Sequence, residues 1–334
     1  MKVLFIGGTK RGFQTLDALV ASGAEVCGVL SLTQDEHEQE RYEGPIRDLA
    51  LSHGIPFRET KFVRDRELAR WAQDTGAATA IGVGVRILLP PSFYTAFQLG
   101  CWGVHDSLLP EYRGFAPLNW SIINDEPRTG VTVFRISERM DGGEILLQRA
   151  VPIGPADTAP QVYERVCAAT VDVVREAYRQ LKDGTAAPRP QDYTAGSFAC
   201  ARTPVDGEID WSQPTRRIYN LVRALTFPYP GAYTYYRGQR ICVLRAEEIE
   251  GPPSYRGRIP GRVVQILPGQ GVEVLTGDGM LRVTHVSSDG RTTRPAEDVI
   301  RSVKTSLGLR LRDLELRLVE MERRLEALTA HATR

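Results

Sequence analysis

The chain has 334 residues, of which 42% are hydrophobic and 25% are charged, a composition that excludes a largely disordered protein. Its formal net charge of +1 gives no general attraction to nucleic acid or to an anionic membrane. No apolar run approaches the ~18 residues of a membrane span. The five cysteines are scattered, contain no CxxC motif and have no histidines clustered near them. We therefore expect a cytoplasmic protein of two or three domains with reduced thiols and no metal site.

The first half of the chain alternates between strand and helix patterns. The apolar run Val3–Ile6 ends at a pair of glycines, and apolar residues then recur at helical spacing from Phe13. Further strands are expected over 25–32, 77–83, 100–104, 131–136 and 145–151. Helices are expected over 45–52, 64–75, 118–124 and 159–182. This order is typical of a doubly wound α/β domain with a mostly parallel, Rossmann-like sheet.

The glycine turn after the first strand, Gly7–Gly12, does not fit the G-x-G-x-x-G spacing of dinucleotide-binding proteins. We therefore expect no nicotinamide site there. The free amides of the turn and the N-terminus of the next helix remain suited to an anion.

The stretch from Gly103 to Gln148 contains the strongest chemical candidates. His105 follows an apolar run, and Asp141 lies in the sequence MDGG between two predicted strands. A histidine at a strand end and an aspartate returned to it by a strand–turn–strand excursion can act as a general acid/base pair. By spacing alone, a surface histidine and an ordinary turn aspartate are the favoured interpretation.

A set of motifs in fixed order surrounds these two residues. They are His105-x-Ser107-Leu108-Leu109-Pro110, Arg113-Gly114, Pro117, Thr129-Gly130-Val131-Thr132 and Asp141-x-Gly143. Together they resemble the signature of the folate-dependent formyltransferases, a family that includes methionyl-tRNA formyltransferase. The version here, LLPEYRGFAPLNWSIIN, is most similar to the branch that acts on amino sugars of nucleotides, such as UDP-4-amino-4-deoxy-L-arabinose formyltransferase.

The resemblance implies transfer of a formyl group from 10-formyltetrahydrofolate to a primary amine, with a nucleotide-linked amino sugar as the expected acceptor. It implies that His105 and Asp141 are catalytic. With Asp141, the pterin ring would be held by Arg86, Ile87, Leu88 and Leu89, although the run Ile87–Pro90 also fits plain core. The acceptor side would be bordered by Gly8, Thr9, Lys10, Ser107, Arg113 and Gly114.

One position departs from the family pattern. The family carries Asn-x-His, in which the Asn amide helps to hold the oxyanion, whereas this chain has Gly103-Val104-His105. Losing one such donor costs on the order of 100- to 1000-fold in rate. Either Asn119 or Asn124 substitutes, or the reaction is slow, or the site performs a different one-carbon or acyl transfer or a hydrolysis. A catalytically idle, folate-binding protein is a further alternative.

The connection over 33–44, TQDEHEQERYEG, carries five acidic residues against one arginine. The tRNA-specific branch of the family has a basic insertion at about this point. Because acidic side chains repel phosphates, this connection argues against a tRNA acceptor.

The second half of the chain has different patterns. We expect the catalytic domain to cover 1–183, a Pro- and Gly-rich linker 184–200, and a bridging segment with a small open β-barrel 201–302. An amphipathic helix is expected over 303–334.

That last helix carries a heptad pattern. Its a and d positions are Leu307, Leu311, Leu314, Leu318, Met321, Leu325 and Leu328. In the same frame Arg310 and Arg317 fall at g, and Glu315 and Glu322 fall at e, which is complementary in a parallel pair. The pattern is compatible both with a homodimeric coiled coil through 307–328 and with a helix packed on its own barrel.

Overall fold

The computed structural model describes residues 1–33, 41–61, 66–290, 292–309, 314–315 and 318–325. Contacts divide the chain into two compact units. The first comprises Met1–Ile122 and Glu126–Arg202, and the second comprises Ile123–Asp125 and Thr203–Arg334. Within the described ranges, no helix has both the length and the apolar character needed to cross a bilayer.

The first unit is built on a seven-stranded sheet with the order β3-β2-β1-β4-β5-β7-β8. Its strands are β1 (Lys2–Gly7), β2 (Glu25–Leu32), β3 (Phe57–Thr60), β4 (Thr79–Val83), β5 (Cys101–His105), β7 (Arg128–Arg135) and β8 (Ile145–Pro152). Two short strands, β6 (Arg113–Gly114) and β9 (Phe198–Ala199), form a separate parallel pair. The first five strands of this order are parallel, and β7 pairs antiparallel with both β5 and β8, which confirms the predicted α/β class with a mostly parallel sheet.

Helices cover both faces of this sheet, as its continuously apolar strands require. They are α1 (Lys10–Ala21), α2 (Glu43–Ser52), α3 (Arg66–Asp74), α4 (Pro91–Tyr94), α5 (Pro117–Ile123) and α6 (Ala159–Asp183). Thr9 caps α1, and Gly184 ends α6 in a left-handed conformation. Because β1, β4 and β5 are parallel, the loops that follow them meet at one edge of the sheet, where ligands bind in open α/β folds.

The second unit contains a six-stranded antiparallel sheet, which agrees with the predicted small β domain. Its strands are β10 (Ala232–Tyr236), β11 (Gln239–Glu248), β12 (Val263–Leu267), β13 (Gly271–Leu275), β14 (Met280–Ser287) and β15 (Arg294–Pro295). The 3-10 turn Pro204–Gly207 and the helices α7 (Thr215–Leu225) and α8 (Ala296–Val299) complete the unit. Val243, Val272 and Val283 lie in its apolar core.

Leu307 differs from the heptad prediction. It is only 3% exposed and packs in the core of the second unit, where its amide donates to the Gly261 carbonyl. Residues 314–315 and 318–325 are helical, and their seam leucines are exposed, as Leu318 at 60% illustrates. The predicted seam therefore begins after Leu307; its positions Leu311 and Leu328 lie outside the described residues.

Residues 184–200 fall within the first unit, whereas the sequence predicts a linker there. Arg189 exchanges two backbone hydrogen bonds with Ile145, and β9 pairs with β6. We call residues 189–199 the strap. The strap belongs to the first unit because its backbone forms these hydrogen bonds with Ile145 of β8 and with β6.

Candidate active site

His105 ends β5 and is 8% exposed. Its Nε2 lies 2.7 Å from the backbone oxygen of Tyr112. Because a carbonyl only accepts hydrogen bonds, Nε2 carries the proton in the neutral ring and Nδ1 holds the lone pair. Tyr112 itself has a left-handed backbone conformation, with a φ of 56°. The fold thus selects one tautomer, with Nδ1 as the basic atom.

Asp141 lies in the turn between β7 and β8, and its Oδ2 is 3.7 Å from His105 Nδ1. The same oxygen accepts a hydrogen bond of 2.8 Å from the Gly114 amide. At 3.7 Å the two side chains do not form a direct hydrogen bond. Both facing atoms are acceptors, so a group with two hydrogens, such as an amine or a water, can donate to both.

Burial lowers the pKa of His105 below its ordinary value of 6.5. The negative charge of Asp141 and the Tyr112 carbonyl oppose this shift in part, and the positive charge of Arg11 adds to it. The ring is therefore neutral near pH 7. A neutral imidazole beside a carboxylate is equipped to take a proton.

Gly103, two residues before His105, faces the ring of Phe134. A Cβ at this position would lie 2.9 Å and 3.0 Å from Phe134 Cε1 and Cζ, and 3.3 Å from Ile136 Cγ1. Phe134 is itself buried in a small cluster with Leu109 and Ile145. The space into which a side chain at position 103 would project is therefore apolar and filled.

The predicted substitutes for the missing amide occupy different units. Asn119 is a buried residue of α5 in the first unit. Asn124 belongs to the second contact unit.

The turn after β1 is tightly built. A Cβ on Gly8 would lie 2.0 Å from the Leu32 carbonyl oxygen, so only glycine fits there. Thr9 Oγ1 accepts from the Gly12 amide at 3.2 Å. Lys10 Nζ donates to Glu164 Oε1 at 2.5 Å, and this bond raises the pKa of Lys10. Thr9 adjoins the end of β4, since a Cβ on Gly84 would lie 2.9 Å from Thr9 Oγ1.

The remaining acceptor-side candidates are mostly enclosed. Ser107 is buried, and its hydroxyl donates to the Glu111 carbonyl at 2.5 Å. Arg113 is 0% exposed, and its guanidinium stacks on Tyr193 at 4.4 Å. Gly114 reaches the site through its amide, by the bond to Asp141.

Residues 1–177 match the formyl transferase family, and residues 202–304 match the formyl transferase C-terminal domain. The chain belongs to the formyl transferase family. It is a folate-dependent formyltransferase, whose formyl donor is 10-formyltetrahydrofolate.

Curated relatives of this formyltransferase include two named methionyl-tRNA formyltransferase. The protein of Solibacter usitatus is 34% identical over 302 residues, which cover 89% of this chain and 94% of that protein. The protein of Sorangium cellulosum is 33% identical over 302 residues, covering 90% and 96%.

Solved structures share the fold at lower identity. HypX from Aquifex aeolicus, in complex with tetrahydrofolic acid, gives a TM-score of 0.61 at 20% identity and covers 91% of this chain and 47% of its own. The N-formyltransferase from Helicobacter canadensis, in complex with folinic acid and dTDP-3-aminofucose, gives 0.63 at 14% identity, covering 85% and 98%.

The segment assigned to the pterin, Arg86–Leu89, follows β4 at the same edge as His105. Leu88 is 79% exposed, and Leu89 is buried against the core beneath it. Among the described residues, no backbone–backbone hydrogen bond involves Ile87, Leu88 or Leu89. An apolar segment whose amides and carbonyls are not used by the fold suits a flat ring with a polar edge, so the residues present fit a folate.

Three residues that contact the candidate site were not predicted from the sequence. Tyr112 acts through its backbone oxygen, which no side-chain pattern reveals. Phe134 looks like any core residue of a buried strand, and Gln191 lies 50 residues from Asp141. For Phe134, the unusual Gly103 was the only available signal.

Proposed function

We propose that this formyltransferase transfers the formyl group to the primary amine of a nucleotide-linked amino sugar, with His105 and Asp141 as the catalytic pair. The observation that carries the catalytic part is the pair of facing acceptors, His105 Nδ1 and Asp141 Oδ2, 3.7 Å apart. An amine nitrogen seated against both donates one hydrogen to each. That contact directs its lone pair away from the pair, towards the donor.

When bound, 10-formyltetrahydrofolate supplies an electrophilic formyl carbon. The carbon–nitrogen bond forms at the amine while the bond to the donor's nitrogen breaks, and the proton lost by the amine replaces the formyl group on the donor. Neutral His105 accepts that proton on Nδ1, and the Asp141 carboxylate stabilises the imidazolium formed. The Tyr112 carbonyl keeps the ring oriented throughout.

The segment Arg86–Leu89 and the Asp141 turn form the donor side in this proposal. Gly8, Thr9, Lys10 and Gly114 lie on the acceptor side. Ser107 and Arg113 support that side from beneath, because both are buried and bonded to backbone oxygens.

The choice of a nucleotide sugar rests on charge and on similarity. The connection over 33–44 is strongly acidic and would repel the phosphates of a tRNA, and the net charge of the chain is only +1. The structural neighbour from Helicobacter canadensis is described with dTDP-3-aminofucose, and the chain covers 98% of it.

Methionyl-tRNA is the second candidate acceptor. It is favoured by the curated relatives, which bear that activity in their names at 33–34% identity over nearly their whole length.

An acceptor panel decides between the two. The purified protein is incubated with 10-formyltetrahydrofolate and, separately, UDP-4-amino-4-deoxy-L-arabinose, dTDP-3-aminofucose and methionyl-tRNA, and products are identified by mass spectrometry. We expect formylation of at least one nucleotide sugar, absent in D141N and H105N. Formylation of methionyl-tRNA alone would reject the amino-sugar proposal.

We also propose that the chain forms a homodimer through its C-terminal seam. The described seam residues Leu314, Leu318, Met321 and Leu325 are all exposed on a helix. Arg317 at g and Glu322 at e are complementary across a parallel pair. A second copy of the helix would bury this seam.

A cytoplasmic location completes the proposal. It is supported by the state of the cysteines, all five of which lie in the described ranges and are free thiols.

A further inference from the structure

The geometry points to Gln191, in the strap, as the residue that positions Asp141 for catalysis. The inference rests on the catalytic role proposed for Asp141 and adds to it a residue that does not touch the reacting atoms.

The Asp141 turn needs support from outside. Asp141 has a φ of 48°, a left-handed conformation that is unfavourable for a residue with a side chain. Gly143 packs so closely on the backbone that a Cβ there would lie 1.8 Å from the Arg135 carbonyl oxygen. The turn is thus bent sharply, and within its own span the Gly142 amide donates to the Arg139 carbonyl at 3.2 Å.

Gln191 supplies that support through one amide group. Its Nε2 donates to the Asp141 carbonyl at 2.8 Å and to the Gly143 carbonyl at 2.6 Å. The two bonds fix the backbone on both sides of Gly142. Tyr193 packs over the same glycine, where a Cβ would lie 2.4 Å from its ring.

Gln191 is itself fixed by Arg113. Arg113 Nη2 donates to Gln191 Oε1 at 3.2 Å and to the Asp192 carbonyl at 3.1 Å, and Nη1 donates to the Ala195 carbonyl at 3.1 Å. A buried, charged donor therefore orients the amide so that its nitrogen faces the Asp141 turn.

The two neighbours of Arg113 complete the arrangement. The Tyr112 carbonyl holds His105, and the Gly114 amide holds the Asp141 carboxylate. Residues 112–114 consequently fix His105 and the Asp141 carboxylate directly, and they fix the Asp141 backbone through Gln191. Removing the amide of Gln191 frees the backbone of the turn and widens the range of His105–Asp141 distances.

The test compares Q191M, which keeps the length of the side chain but cannot donate, with T194A as a matched control. Thr194 is an exposed strap residue whose amide and hydroxyl donate to Asp192, and it bonds to no residue of the turn within the described part of the chain. The first readout is the pKa of His105, measured by NMR titration of the imidazole nitrogens and assigned with H105N. This readout requires no acceptor.

Asp141 opposes the burial-induced lowering of the His105 pKa, so a loosened Asp141 should lower that pKa further. We expect Q191M to shift it in the same direction as D141N, and T194A to leave it unchanged. We also expect kcat to fall on the order of 10- to 100-fold in Q191M, with KM for the amine changed less. An unchanged His105 titration together with an unchanged kcat in folded Q191M would overturn the inference.

A double variant separates this inference from the proposed function. If Gln191 acts through Asp141, Q191M lowers kcat in the wild-type background but has no further effect on D141N. An equal fold-loss in both backgrounds shows that Gln191 acts elsewhere, and the inference fails. If D141N alone retains full activity, it is the proposed catalytic pair that fails. If Q191M does not fold, Q191N is used instead. Its side chain is one methylene shorter, which moves the amide away from the turn, and the same readouts apply.

Discussion

The ring of Phe134 stands edge-on to the imidazole of His105, with centroids 6.5 Å apart and an interplanar angle of 88°. The same ring occupies the space into which a side chain at position 103 would project. The residues at positions 103 and 134 therefore constrain each other, because an asparagine at 103 on β5 and a phenylalanine at 134 on β7 would occupy the same volume.

This relationship predicts that G103N alone lowers activity, although it restores the residue of the family pattern. The new side chain meets Phe134 within a close-packed strand pair, and such overpacking costs about 1–3 kcal/mol of unfolding free energy. Thermal unfolding and kcat measured on the same preparation check this.

The paired variant G103N/F134V should behave differently. Valine lacks the atoms that a residue at 103 would meet, so the amide can reach the site beside His105. We expect kcat of the pair to exceed that of F134V alone by roughly 10-fold or more, as befits an added oxyanion donor. Equal values for the two would mean that another group already fills this role.

The lowered pKa of His105 predicts the pH dependence of the reaction. Because the basic form is neutral His105, kcat should be constant above about pH 6.5 and fall as the pH drops through the folded-state pKa, which lies below 6.5. An apparent pKa above 6.5 for this limb would contradict the assignment of His105 as the base.

The same shift predicts a change in stability. Between the folded-state pKa and 6.5 the unfolded chain binds more protons, so the contribution of neutral His105 is fully present above pH 6.5 and is lost as the pH falls through the folded-state pKa. The difference in melting temperature between wild type and H105N should therefore depend on pH in this window and be flat above it.

Replacing Arg113 by methionine should loosen the strap. The variant leaves Gln191 Oε1 and the carbonyls of the strap without their charged donor, and we expect a loss of about 2–4 kcal/mol in unfolding free energy. Hydrogen exchange of residues 191–198 should speed up. R139M is the matched control, because exposed Arg139 stacks on the same Tyr193 ring, at 4.9 Å, from outside. Equal exchange rates in the two variants would show that Arg113 does not hold the strap.

The dimer proposal predicts a change of mass on truncation. Removing residues 310–334 leaves Leu307 in the core of the second unit and should convert a dimer to a monomer in light scattering. The charge reversal E322R should weaken the dimer, and R317E/E322R should restore it. An unchanged mass after truncation would reject the coiled coil.

The sequence predicted the sheet, the positions of β5, β7 and β8, and the separate antiparallel domain, because these depend on local apolar patterns. It also singled out His105 and Asp141, which the structure brings to 3.7 Å. It did not reveal Gln191 as a partner of the Asp141 turn or Phe134 as a neighbour of Gly103. Those pairs form across the sheet or over 50 residues of chain, and no periodicity encodes them.

The place where the strap ends has a practical consequence for protein engineering. A fusion or domain exchange cut at the end of α6, after Asp183, would carry both His105 and Asp141 into the new protein but would leave Gln191 and Tyr193 behind. Such a chimera would contain His105 and Asp141 but lack the hydrogen bonds from Gln191 to the Asp141 turn. A cut placed after Arg202 keeps the strap together with the rest of the first unit.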